Sequence, residues 1–195
     1  LAGVNPLPPH LQAMAPVSAS SDFHQSWVYH TGGAMEWGWM VPYAILKGRN
    51  TLERIGRTDL LDQMDEYVLS PGNFGQPLTD QWYRHLPLRN WIDRLKEAAP
   101  YFHEYFDQEL DGPYWWRANL LRNLAGVKVP MLHISSWYDI FLEGALNSFQ
   151  TIRSQGANEL ARNNQKLLLG PWAHIRPYTA PNSGGAGDIY FGEEA

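Results

Sequence analysis

Val129-Pro130-Met131-Leu132-His133-Ile134-Ser135, then Leu142 to Ile152, then Gln165-Lys166-Leu167-Leu168-Leu169 decide the fold of this chain. The first and third are short apolar runs with the length and punctuation of buried strands; the third meets Gly170-Pro171, which predicts its stop. Between them Leu142, Ala145, Leu146, Phe149 and Ile152 trace one face of a helix. Strand, helix, strand over some forty residues is a βαβ unit, with parallel strands and a right-handed crossover. Leu11-Gln12-Ala13-Met14-Ala15-Pro16-Val17 is a further apolar run, ending in the polar loop Ser18-Ala19-Ser20-Ser21-Asp22, and is assigned to the same sheet.

The stretch between these strands has another texture. Residues 24–122 are dense in aromatic side chains and predict helices without strands. A helix is expected over about 34–47, with Pro42 kinking it or marking its first turn. Leu60, Leu61, Met64, Tyr67 and Val68 predict another, with Thr58 as N-cap and Ser70-Pro71-Gly72 as stop. Trp91, Ile92 and Leu95, then Phe102, Tyr105 and Phe106, predict two short ones, the second opened by Pro100. The expected organisation is therefore α/β core over 1–23, a helical insertion over 24–122, and core again over 123–195.

Composition removes several function classes. The 195 residues carry 15 Lys+Arg against 20 Asp+Glu, a net charge of −5 that argues against a phosphate-backbone binder. With no Cys there is no disulfide framework, thiolate metal site or Cys nucleophile, though this does not fix the compartment. No run approaches the roughly 18 apolar residues of a spanning helix, and no signal peptide opens the chain. The start at Leu1 and the end at Ala195 read as cuts in a longer protein.

Ligands of an open parallel sheet sit beyond the carboxyl ends of its strands. Asp139 follows the strand 129–135, and His174 follows the strand 165–169. An Asp beside a His fixes the imidazole tautomer and stabilises the imidazolium, while His titrates near neutral pH and suits proton transfer. The competing reading makes Asp139 the N-cap of the helix that follows and His174 a surface residue. In α/β-hydrolases the order is Ser, Asp or Glu, then His. No glycine of this chain is followed two residues later by Ser, so there is no G-x-S-x-G elbow.

Val129-Pro130-Met131-Leu132-His133-Ile134-Ser135-Ser136-Trp137-Tyr138-Asp139 resembles the acid-bearing "VP-x-L…GWYD" segment of the X-Pro dipeptidyl-peptidase (S15-type) and cocaine-esterase-like hydrolases. Leu168-Leu169-Gly170-Pro171-Trp172-Ala173-His174 resembles their "GPW-x-H". Leu11–Val17 with Ser20-Ser21-Asp22, Trp27 and Gly32-Gly33-Ala34 resembles the segment after the nucleophile helix, and Asp111 with Tyr114-Trp115-Trp116 their "DDYW". Ser135-Ser136 replaces the usual glycine pair. The resemblance implies the C-terminal half of an α/β-hydrolase parallel sheet with an inserted helical cap. It makes Asp139 and His174 the catalytic acid and base, and Phe141, Trp27 and Trp39 candidates to line an acyl or leaving-group pocket, against ordinary core packing. Ile140-Phe141-Leu142 stands where some relatives carry carboxylates for a substrate ammonium, so a neutral or aromatic acyl group is expected.

The implied substrate is a small ester or amide or a short peptide, with no cofactor, nucleic acid or membrane. Nucleophile and oxyanion donors fall to an N-terminal half outside these residues, so the chain alone is expected to be inactive. Two other readings stand beside this one. A Trp-rich binding module would keep Asp139 and His174 apart and expose a row of Trp; a catalytically dead hydrolase relative would lack the Ser. Asp22, His24 and His30 match no metal-ligand spacing. His133 reads as an ordinary strand residue. Ser20 and Ser21 read as loop hydroxyls rather than nucleophiles.

Overall fold

The computed structural model describes residues 7–30, 32–61, 86–90, 96–174, 185–186, 189–190 and 192. Its helices are α1 (Trp37–Arg54), α2 (Tyr101–Asp107), α3 (Pro113–Trp116), α4 (Leu142–Gln155) and α5 (Glu159–Asn163). Its strands are β1 (Met131–Tyr138), β2 (Gln165–Ala173), β3 (Gly185–Ala186) and β4 (Ile189–Tyr190). The chain divides into two compact units, Leu1–Gly32 with Asp111–Ala195, and Gly33–Leu110.

In the first unit β1 and β2 pair in parallel, in register from Met131↔Gln165 to Ser136↔Gly170. The apolar run near Leu11 joins them through two parallel bridges, Met14↔Met131 and Val17↔Ile134, rather than as a full strand. Pro16 has no N–H to give to a ladder, yet its carbonyl accepts from Ile134 N at 2.9 Å. Helix α4 crosses between β1 and β2. Its buried face is Gly144, Ala145, Ser148 and Ile152, rotated slightly from the predicted stripe so that Leu146 and Phe149 are only half-buried. Gly144 permits a close approach: a Cβ there would lie 2.8 Å from Ser21 N and 2.9 Å from Ser20 Cα, so the loop 19–21 presses on the first turn of α4.

The core of this unit is Val127, Val129, Met131, Ile152 and Ala161, with Leu7, Leu11, Met14, Leu120 and Leu124 packed against it. Full burial of such a side chain stabilises by about 1.5–3 kcal/mol. Asp22 ties the flanks of the inserted stretch together. Its Oδ1 accepts from His24 N (2.8 Å) and Gln25 N (3.2 Å), and its Oδ2 from Asn119 Nδ2 (2.7 Å). Asn119 Oδ1 in turn caps Leu121 N and Arg122 N. The capped turn His24–Val28 is a π-helical turn, with Tyr29 N donating to His24 O at 2.7 Å.

In the second unit α1 begins three residues later than expected and runs seven further, unbroken through Pro42. Thr58 opens a 3-10 turn with Arg57, not Thr58, at the N-cap. The expected helices over 60–68 and 91–95 fall largely outside the described residues. Pro100 precedes α2, as its sequence predicts. Arg57 bonds Asp59 and Glu97, and Arg89 bonds Asp107 at 2.6 Å, all exposed pairs of small energetic weight. Among the described residues no helix is long and apolar enough to cross a membrane.

Candidate active site

The two strands end unevenly, and this places the site. Ser136 pairs with Gly170, but Tyr138 pairs with Ala173, so β2 carries one residue more than β1 between these pairs. The expected stop at Gly170-Pro171 is thus a bulge, and β2 continues to Ala173. Its cause is local. Pro171 cannot donate to a ladder, and Trp172 folds its ring over Gly170, where a Cβ would lie 2.0 Å from the ring. One step further along the shifted register, Asp139 stands opposite His174.

The side chains meet there. His174 Nδ1 lies 3.0 Å from Asp139 Oδ1. The Asp139 side chain is fully buried, and that of His174 is 22% exposed. The same Oδ1 accepts from Phe141 N at 2.8 Å, an Asx turn that leads into α4. Asp139 is not the N-cap of that helix; Phe141 holds the position. The other oxygen, Oδ2, accepts from Ser18 Oγ. Burial pushes the Asp139 carboxyl up, but hydrogen bonds from His174, Ser18 and the Phe141 amide, with the charge of His174, hold it below the ordinary value of 3.8. A carboxyl lowered in this way stabilises the fold above the ordinary carboxylate range, and the contribution is lost as pH falls through its native value.

A chain of aromatic rings leads away from the imidazole. Phe141 meets His174 edge-on at 5.1 Å, and Trp27 meets Phe141 edge-on at 6.1 Å. Phe23 packs on Trp27 at 4.7 Å. Four of the five residues singled out in the sequence, Asp139, His174, Phe141 and Trp27, therefore form one contiguous group. Trp39 belongs to the second unit, on α1, where it stacks on Tyr43 at 6.3 Å.

A family model for X-Pro dipeptidyl-peptidases (S15 family) matches residues 1–176. The chain belongs to this family. S15 membership carries a hydrolase and an α/β-hydrolase-like fold, and the parallel β1–β2 pair with its α4 crossover accords with that coarse description. No curated protein matches the chain.

Set in the S15 family, the serines of the loop sort by what they touch. Ser20 Oγ bonds Asp22 O and Ser26 Oγ, both at 2.8 Å, as a loop hydroxyl does. Ser18 bonds the Asp139 carboxylate. Sequence reasoning passed over Ser18, because nothing local marks it. The signal that could have found it is topological: the ends of adjacent parallel strands converge, and Ser18 follows Val17, the residue bridged to Ile134 of β1. Among the described residues no cluster of His, Asp and Glu could hold a metal ion.

Proposed function

We propose that this S15-family chain supplies the acid and base of a serine hydrolase that cleaves an ester or amide through an acyl-enzyme. It would be the C-terminal half of the catalytic sheet, core over 1–23 and 123–195, with a helical cap over 24–122. The observation that carries the reading is the Asp139–His174 contact at 3.0 Å, at the carboxyl ends of two parallel strands. A Trp-rich binding module predicts these two residues far apart.

Because Nδ1 faces the carboxylate, base and acid chemistry falls to His174 Nε2. It takes the proton of the serine hydroxyl as the oxygen attacks the acyl carbon, then returns it to the departing alkoxide or amine. In the second half-reaction it takes a proton from water as the water oxygen attacks the acyl carbon, then gives that proton to the departing serine oxygen as the acyl–oxygen bond breaks, releasing the carboxylic acid and restoring the hydroxyl. Asp139 fixes the tautomer and stabilises the imidazolium, remaining a carboxylate throughout. Its lowered pKa suits that task. Phe141 and Trp27 offer an apolar wall beside the imidazole, which fits a neutral or aromatic acyl group. Trp39 stays a substrate-pocket candidate on the family resemblance alone.

The nucleophile is assigned outside these residues, since the chain has no G-x-S-x-G and Ser18 bonds the acid rather than the base. The test joins the chain to its upstream reading frame and assays a p-nitrophenyl ester and an Xaa-Pro anilide. Asp139→Asn is expected to lower kcat by about 10⁴-fold with binding retained. The 195-residue chain alone is expected not to take a fluorophosphonate label. Unchanged turnover in Asp139→Asn, or labelling of the isolated chain that disappears in His174→Ala, would overturn the corresponding half of the proposal.

A further inference from the structure

We propose that Ser18 is a positioning residue for the Asp139–His174 pair, its hydroxyl locking the carboxylate from the oxygen that the imidazole does not use. The inference rests on the reading of Asp139 and His174 as catalytic acid and base. A carboxylate held only through Oδ1 can turn about its Cβ–Cγ bond and carry His174 with it. With Phe141 N and His174 Nδ1 on Oδ1 and Ser18 Oγ on Oδ2, both oxygens are fixed and that rotation is closed.

The backbone of Ser18 is built for this contact. Its N–H donates to Ile134 O at 2.8 Å, on the strand that leads to Asp139. Its φ is +46°, the left-handed region, and among the described residues no other non-glycine has a positive φ. Glycine reaches this region at little cost and Asn is tolerated there, whereas Ser is strained. A turn alone would be better served by glycine. The strained residue here is one whose hydroxyl reaches the buried acid, and strain of this kind collects where a side chain must be aimed. Ser18 is half-buried, and His174 is the titratable partner of Asp139 among the described residues.

Glycine and alanine at position 18 separate positioning from plain structure. Both delete the hydroxyl; glycine also relieves the backbone, so Ser18→Gly should unfold at higher denaturant than Ser18→Ala. The readouts are the carboxyl ¹³C titration of Asp139 and the ¹⁵N tautomer signature of His174, on the 195-residue chain. Both variants are expected to shift the Asp139 midpoint upward and to reduce the Nδ1–H tautomer of His174, to a similar extent despite their different stabilities. Wild-type titration and tautomer in Ser18→Gly would overturn the proposal. So would a change that appears in Ser18→Ala alone and tracks its lost stability. Asp139→Asn serves as the control for the underlying reading: if it leaves the His174 tautomer untouched, the acid–base pair itself fails, whatever Ser18 does.

Discussion

Two histidines bridge the same two-stranded ladder, one near each end. Near the start, His133 of β1 reaches Gln165 of β2, with 2.9 Å between Nε2 and Oε1. At the finish, His174 after β2 reaches Asp139 after β1, with 3.0 Å between Nδ1 and Oδ1. The geometry is alike and the surroundings are not. His133 and Gln165 are 2% and 8% exposed, and the Gln165 amide also donates to Ala161 O at 2.7 Å and Val129 O at 3.4 Å. That end is a closed network in which an amide, unable to titrate, holds a ring in place. The other end puts a carboxylate against an imidazole that is 22% exposed and packed on Phe141, which in turn meets Trp27. A histidine paired across strands thus becomes a candidate base when its partner can hold a charge and its ring is partly open to solvent.

Cutting each pair should give opposite phenotypes. His174→Ala is expected to lower turnover of the catalytically complete protein by about 10⁴-fold. The buried Asp139 carboxylate loses one hydrogen bond but keeps those from Ser18 and the Phe141 amide, so the denaturation midpoint should fall only modestly. Steady-state kinetics beside urea unfolding read both quantities; a fall in activity that merely follows unfolding would erase the contrast. Gly170→Ala attacks the same end through the bulge. The added Cβ displaces the Trp172 ring, and overpacking of this kind costs about 1–3 kcal/mol. The larger consequence is for register: His174 slips against Asp139, and a displacement near 1 Å costs about 10²-fold in rate. Wild-type kcat in a folded Gly170→Ala protein would mean that the bulge does not set the pair.

How far the sequence discloses these features depends on the range of the cause. The parallel pair, the crossover helix and the residues Asp139 and His174 are legible because apolar periodicity and punctuation are local. The bulge hides behind that same punctuation: Gly170-Pro171 reads as a stop when the strand goes on to Ala173. The rotation of the buried face of α4 toward Gly144 and Ser148 depends on the loop 19–21 pressing on Gly144, a contact between residues far apart in the chain. Ser18 is invisible for the same reason, since its partner lies 121 residues away. α5, capped by Asn158 at 2.8 Å, is a short element with too little periodicity to register.

At the buried end the expected effects are on stability. Gln165→Ala leaves His133 Nε2 without its partner and takes a donor from Val129 O and from Ala161 O, the latter still accepting from Asn164 N, and should cost about 1–3 kcal/mol. Turnover per folded molecule should stay near wild type. Equal losses of activity and stability would show that the two ends of the ladder are not separable.

Gln165→Glu makes the subtlest change, because it turns one end of the ladder into a chemical copy of the other. Burial holds the wild-type His133 ring below its ordinary value of 6.5, and the Gln165 hydrogen bond offsets part of this. The unfolded chain therefore binds a proton near pH 6.5 that the native chain refuses, so the wild-type protein should lose stability as pH falls from about 7.5 to 5. A carboxylate at position 165 favours the imidazolium and raises the native value of His133. It also gives up the donor that serves Ala161 O and Val129 O, so the variant should be less stable throughout. What should shrink is its loss on acidification. Urea midpoints at pH 5 and pH 7.5 measure the difference. Parallel losses in the two proteins would mean that His133 is not the group whose protonation opposes the fold.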